Sequence, residues 1–139
     1  MFDVKTHRIS TIPGSEGRFS ARWSPDGRYL AALDLGAVSK KISLYEFRTG
    51  KWTEWVFDDG GIEYPAWTAN GDYIVYENPQ KCRRVKLGGS QPGDLFVLGK
   101  FTPFFSEFGP WSGNAPDDSR IFTRDVSTED IYALDLDLP

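Results

Sequence analysis

Between Arg18 and Trp23 apolar and polar residues alternate, with Phe19, Ala21 and Trp23 on one side and Ser20 and Arg22 on the other. A period of two predicts a strand with one buried face. Trp23-Ser24-Pro25-Asp26-Gly27 then reads as a tight turn. Pro25 presets φ at the first corner, the Asp26 carboxylate reaches the backbone two residues on, and Gly27 takes a left-handed conformation at no steric cost. A second strand follows over 29–33, and further strands are expected over 42–47 and 51–57 on either side of the Thr49-Gly50 turn. The four make one meander, which ends at Asp58-Asp59-Gly60-Gly61. One more strand is expected ahead of it, over 7–12, closed by Pro13-Gly14.

The cycle then starts again. Strands are predicted over 62–67, 72–77, 83–87 and 94–101, punctuated by Asn78-Pro79, Gly88-Gly89 and Pro92-Gly93, and a third cycle offers 104–111, 120–124 and 131–136. Tryptophan recurs every 44 residues, at Trp23, Trp67 and Trp111, with Gly71 standing where Gly27 stands, and the residue two before each tryptophan is small: Ala21, Pro65 and Gly109. Four strands per unit at such a period predict an all-β chain of β-propeller blades, each sheet burying its faces on its neighbours. The expectation is one domain over 1–139 holding three four-stranded antiparallel blades, at about 18–61, 62–103 and 104–139, with the strand at 7–12 completing the third. The three tryptophans are expected between blades, and the small residues where inner strands crowd around a channel.

Composition agrees with strands and turns: 5 Trp, 6 Tyr and 10 Phe stand beside 14 Gly and 9 Pro in 139 residues. A chain of this length can bury roughly two thirds of its extended surface. A net charge of −4 leaves no electrostatic footprint for a phosphate backbone or an anionic membrane, so nucleic acid is not expected as a direct partner. Cys82 stands alone and excludes an internal disulfide without fixing the compartment. No apolar run approaches a membrane span, and the first residues lack the order of a signal peptide.

Candidate chemistry is sparse. Asp26, Asp117 and Asp118 have the donor atoms for a metal, but an Asp in a Pro-Asp turn already serves its own backbone. His7, the one histidine, would have to serve any Ser-His-Asp triad alone and reads as a solvent-facing strand residue. Gly88-Gly89-Ser90-Gln91-Pro92 lacks the second glycine of a nucleophile elbow. Lys81, Arg83, Arg84 and Lys86 surround Cys82 and could lower its pKa; they read instead as a charged edge strand that resists aggregation. Glu54 with Asp58-Asp59, and Asp135 with Asp137, read as solvated carboxylates. No catalytic residue, cofactor or metal ligand is assigned. Phe104-Phe105 after Pro103, and the acidic pair Asp58 and Asp59, are the candidate partner-binding positions, lying in the connections between blades.

Trp23-Ser24-Pro25-Asp26-Gly27 followed by Arg28-Tyr29-Leu30-Ala31-Ala32 resembles the TolB-type, WD-like propeller repeat, in which this pentapeptide joins the first two strands of a blade. Thr11 to Gly17, Ala115 to Ser119, Arg124 to Thr128 and Ile131 to Asp135 are similar to the C-terminal propeller region of bacterial winged-helix regulators. The second hinge departs in Ala69-Asn70 and the third in the inserted Gly113-Asn114-Ala115, and no winged helix is present. The resemblance implies a bacterial protein-binding or sensor module that is not an enzyme. The substrate-gating propeller of a hydrolase or peptidase, or a recombinant repeat fragment without a task of its own, are the other readings. Propellers close with about 4 to 8 blades, so three blades are expected to pair across a two-fold axis as a homodimeric six-bladed ring.

Overall fold

A computed structural model describes residues 1–36, 38–99 and 111–128. Ten strands lie in them, all paired antiparallel. The first blade consists of β1 (Arg18–Trp23), β2 (Tyr29–Asp34), β3 (Lys41–Glu46) and β4 (Lys51–Phe57), in the spatial order of the sequence. The second repeats it with β5 (Glu63–Trp67), β6 (Tyr73–Glu77), β7 (Lys81–Lys86) and β8 (Gly93–Val97). β9 (Ser112–Asn114) and β10 (Arg120–Phe122) form a hairpin that belongs to a third unit. The expected meanders over 18–57 and 62–101 are therefore present, with most ends shifted by no more than two residues and the last strand ending at Val97 rather than at 101.

The two blades repeat at the level of single backbone angles. The ladder slips between Phe19 and Arg22 in β1 and between Glu63 and Ala66 in β5, and at each slip one residue turns left-handed, Ser20 at φ 51° and Tyr64 at φ 47°. Such bulges let an inner strand bend and twist while its pairing continues on both sides. Because side chains alternate along β2 and β6, Ala31 and Leu33 point to one face of the first blade, whereas Ile74 and Tyr76 point to the facing side of the second. These four join Ile42, Leu44, Val56, Ile62, Trp67 and Val85 in one buried cluster at the seam. Each large aliphatic or aromatic side chain so placed contributes about 1.5–3 kcal/mol of transfer free energy. The core of the molecule is thus an inter-blade seam.

The structure corrects the N-terminal expectation. Residues 7–12 form no strand; an isolated bridge joins Phe2 to Ile9, and Asp3 Oδ1 accepts from the Lys5 and Thr6 amides in the turn between. A carboxylate that organises its own loop favours a local hairpin over a strand in a distant sheet. His7 accordingly sits in that turn at φ 55° and stacks on Phe2 at 6.1 Å. This hairpin lies on the face of the first blade away from the seam, over Leu30 and Ala32, and Trp52 Nε1 donates to Pro13 O at 2.9 Å beside it. The expected strand at 104–111 reaches the described residues only at Trp111, which is not in a strand, and the one at 131–136 lies outside them.

Candidate protein-docking face

The first two turns are built by the same bonds, and the third by a related pair. Asp26 Oδ1 accepts from Ser24 Oγ at 2.6 Å and from the Arg28 amide at 3.0 Å; Asn70 Oδ1 accepts from Thr68 Oγ1 and the Asp72 amide; Asp117 Oδ1 accepts from Ser119 Oγ and its amide. The Gly27, Gly71 and Asp118 amides close the turns onto Ser24 O, Thr68 O and Ala115 O. All three closing residues are left-handed, Asp118 at φ 64° in place of glycine. The bonds hold Asp26 and Asp117 below the usual carboxylate pKa, chiefly through Ser24 and Ser119. Among the described residues no group of three or more His, Cys, Asp or Glu is placed to hold a metal.

These turn bonds also correct the register of the third repeat. Ser24, Thr68 and Ala115 play one role, so the residue before each, Trp23, Trp67 and Asn114, is the repeated position. Trp111 lies three residues too early because the 44-residue spacing ignores the Gly113-Asn114-Ala115 insertion. Asn114 also donates back to the preceding blade, though one residue further on: its Nδ2 bonds Trp67 O at 3.1 Å, across 47 residues, where Trp67 bonds Arg22 O.

The repeat positions have unequal surroundings. Trp67 is 8% exposed, stacks on Trp55 of the first blade at 5.7 Å and donates from Nε1 to Arg22 O at 3.0 Å. Trp23 meets the N-terminal hairpin instead of a blade, lining a cavity with Met1, Phe2 and Asp3. It is 49% exposed, stacks on Phe47 at 4.5 Å and donates no hydrogen bond among the described residues. Phe47 continues into Tyr45 and Trp52, an aromatic row across the face. Trp111 is 56% exposed, and its indole lies against the strand at Gly113, where a Cβ would come within 2.9 Å of the ring. The small-residue rule holds only in part: Pro65 is buried, Ala21 is exposed, and Gly109 lies outside the described residues.

Asp58 is buried rather than solvated. Its Oδ2 accepts from Arg83 Nη1 at 2.6 Å and Tyr76 Oη at 2.9 Å, and its Oδ1 from the Gly60 amide at 3.0 Å. Burial works to raise its pKa, but these three donors outweigh it and hold the carboxyl below the ordinary range. Tyr76 moves up, through burial first and then the Asp58 charge. Asp58 therefore ties the end of β4 to β6 and β7 and is unavailable to a partner. Asp59 is exposed and pairs with Lys40 at 2.6 Å, as Glu54 does with Lys41 at 2.8 Å.

The second seam is polar. Arg120, 4% exposed at its side chain, donates from Nε to Glu77 Oε1 at 2.8 Å, from Nη1 to Asn114 Oδ1 at 3.0 Å and from Nη2 to Tyr64 O at 2.7 Å. Ser112 Oγ donates to the same Glu77 oxygen, and Asp118 Oδ1 accepts from the Ala69 amide at 2.7 Å. Sequence reading missed this network, since 43 residues separate Arg120 from Glu77. An arginine at the start of an otherwise apolar strand was the available signal.

The basic cluster is not an edge strand. β7 runs between β6 and β8; Lys81 and Arg83 both bond Asp94, and Arg84 lies over the Tyr73 ring at 4.7 Å. Burial pushes the Cys82 thiol up to about 11, which leaves it protonated and unreactive at neutral pH. Gly88-Gly89-Ser90 is the connection from β7 to β8, where Trp55 Nε1 donates to Gly89 O at 2.6 Å. Phe104, Phe105, Asp135 and Asp137 lie outside the described residues.

No family model matches the chain, and no curated protein matches it. Among solved structures, the crystal structure of TolB from Acinetobacter baumannii is similar, with a TM-score of 0.60 at 17% identity over 92% of this chain. The chain spans 37% of the length of that one. The likeness gives the fold, a TolB-like one of the β-propeller type, to which the two four-stranded blades conform. It has no bearing on a winged-helix regulator.

Proposed function

We propose that the chain is a non-catalytic propeller segment that binds protein through the half-exposed aromatic row headed by Trp23 on its first blade. One observation carries the reading: Trp23 is half exposed with an unfilled indole N–H at a position whose repeat, Trp67, is covered and bonded by a neighbouring blade. A large aromatic with a polar handle is the kind of residue that anchors protein interfaces. Two carboxylates drawn into the seams, Asp58 and Glu77, are each paired with an arginine, Arg83 and Arg120, in structural roles. The finer readings, a six-bladed ring and a sensor role in a bacterial regulator, rest on this docking face as well.

The test places a photo-reactive benzoylphenylalanine at Phe47, beside Trp23. A protein adduct that forms on irradiation and disappears in Trp23→Ala supports the reading. Absence of any adduct overturns it, as does turnover of ester, glycoside or peptide substrates that is lost in Glu77→Gln.

A further inference from the structure

The N-terminal hairpin covers one face of the first blade without filling the space beneath it. Between the two lie a cavity of about 260 Å³, lined among others by Ile9, Arg18, Phe19, Leu30 and Trp52, and one of about 460 Å³ that reaches Trp23. They adjoin, since Met1, Ile12, Ala21 and Leu30 line both. Sites for small molecules occupy about 300 to 1,000 Å³, which this pair of cavities falls within.

Their lining is apolar and unfinished. Met1, Phe2, Ile9, Phe19 and Trp23 all border these cavities and all remain exposed, Ile9 at 83%, while Leu30 and Ala32 form a buried floor. Scattered singly, exposed apolar side chains need no explanation; gathered on one cavity they mark a surface that a ligand covers. One charge stands among them. Among the described arginines only Arg18, Arg83 and Arg120 are drawn partly under cover, and Arg83 and Arg120 each hold a carboxylate. Arg18 holds none: Nη1 donates to Gly14 O at 2.6 Å, the guanidinium lies over the Trp52 ring at 4.4 Å, and the buried Nε has no acceptor among the described residues. A buried donor left without a partner calls for one.

From this we infer that the two cavities bind an aliphatic monocarboxylate, its carboxylate on Arg18 and its chain running along Leu30 beneath the hairpin toward Trp23. The ligand gives Arg18 what Glu77 gives Arg120, and it takes the exposed apolar lining out of water. A carboxylate without a chain leaves that lining wet, and a chain without a carboxylate leaves Arg18 unpaired, so both halves are required. The site stands on Arg18 and the hairpin. It does not depend on the docking reading, whose cross-link at Phe47 needs no ligand.

Isothermal titration calorimetry of the full chain with decanoate, kept below its micelle concentration, tests it. Saturable one-to-one binding is expected. Decanol and propionate each offer half of the ligand and should bind about tenfold more weakly or worse. Arg18→Met should weaken decanoate about tenfold, to the level of decanol, and Arg18→Lys should recover part of the loss because it keeps the charge. Ile9→Asp sets a like charge at the cavity wall and should also weaken decanoate about tenfold. The Ile9 side chain is exposed, so this variant should keep the wild-type circular dichroism and decides the matter even where Arg18→Met fails to fold. Absence of saturable binding, decanol binding as tightly as decanoate, or decanoate binding indifferent to either substitution overturns the inference.

Discussion

The two seams of this molecule are held by opposite means. Between the first and second blades the contact is an apolar cluster from Ala31 to Val85 with stacked Trp55 and Trp67, and its one ion pair among the described residues, Asp58 with Arg83, lies at the end of β4. Between the second blade and the third hairpin, the buried Arg120 guanidinium does the holding, with Glu77, Asn114, Ser112 and the Tyr64 carbonyl around it. An apolar seam tolerates loss in proportion to the volume removed. A buried ion pair does not, because removing one partner strands the other charge in low dielectric. The first seam should therefore degrade gradually under substitution and the second abruptly.

The largest effects should come from the centre of each seam. Trp67→Ala should cost about 3–5 kcal/mol in urea unfolding, the range for truncating a buried aromatic. Arg120→Ala should cost a similar 3–5 kcal/mol by leaving Glu77 unpaired. The double variant Arg120→Met with Glu77→Leu should recover most of that loss, whereas no second substitution at Glu77 should rescue Trp67→Ala. Failure of the double variant to recover would mean that the hydrogen bonds to Asn114 and Tyr64, rather than the charge pair, hold the hairpin.

A pH titration sharpens the comparison further. The Asp58 carboxyl is held below its unfolded value, so its contribution is complete above the ordinary Asp range of about pH 4 and is lost as pH falls through its lower folded value. Tyr76→Phe removes one of its donors. That variant should lose about 1 kcal/mol at neutral pH and show a smaller acid-dependent loss, since less native-state depression remains to be titrated. An acid limb identical to the wild type would mean that Arg83 and Gly60 alone set the Asp58 pKa.

Smaller effects should separate the repeat positions. Trp23→Ala should cost about 1 kcal/mol, chiefly the stack on Phe47, against the several expected at Trp67. Gly27→Ala, with nothing within 4 Å of the added Cβ, should cost about 1 kcal/mol from its left-handed φ of 70° alone. A cost at Trp23 equal to that at Trp67 would mean that the N-terminal hairpin holds Trp23 as firmly as the first blade holds Trp67.

How much of this the sequence carried can be judged from particular residues. The turns at Ser24 to Arg28 and Thr68 to Asp72 were legible, because Asp26 and Asn70 close them with bonds two residues long. Blade membership was legible too, since period-two alternation and turn residues act over a few positions. Trp111 was misassigned because spacing along the chain counts residues, whereas the third turn is defined by the bond from the Ala115 amide to Ser119 O. Residues 7–12 satisfied strand propensity, but Asp3 captured the neighbouring amides and turned the segment back on itself.

The sequence by itself determined the repeating unit: four antiparallel strands, a turn built by one carboxylate or amide, and a tryptophan beside it in each of the two complete blades. Only the tertiary structure decided what each unit leans on. Asp58 became an inter-blade tie through Tyr76 and Arg83, Glu77 met Arg120, and Trp23 stayed half exposed while Trp67 was covered. The physical reason is distance along the chain. Turn chemistry and strand pattern are local, while the partners across these seams lie 18 to 56 residues apart and are brought together only by the stacking of one sheet upon the next.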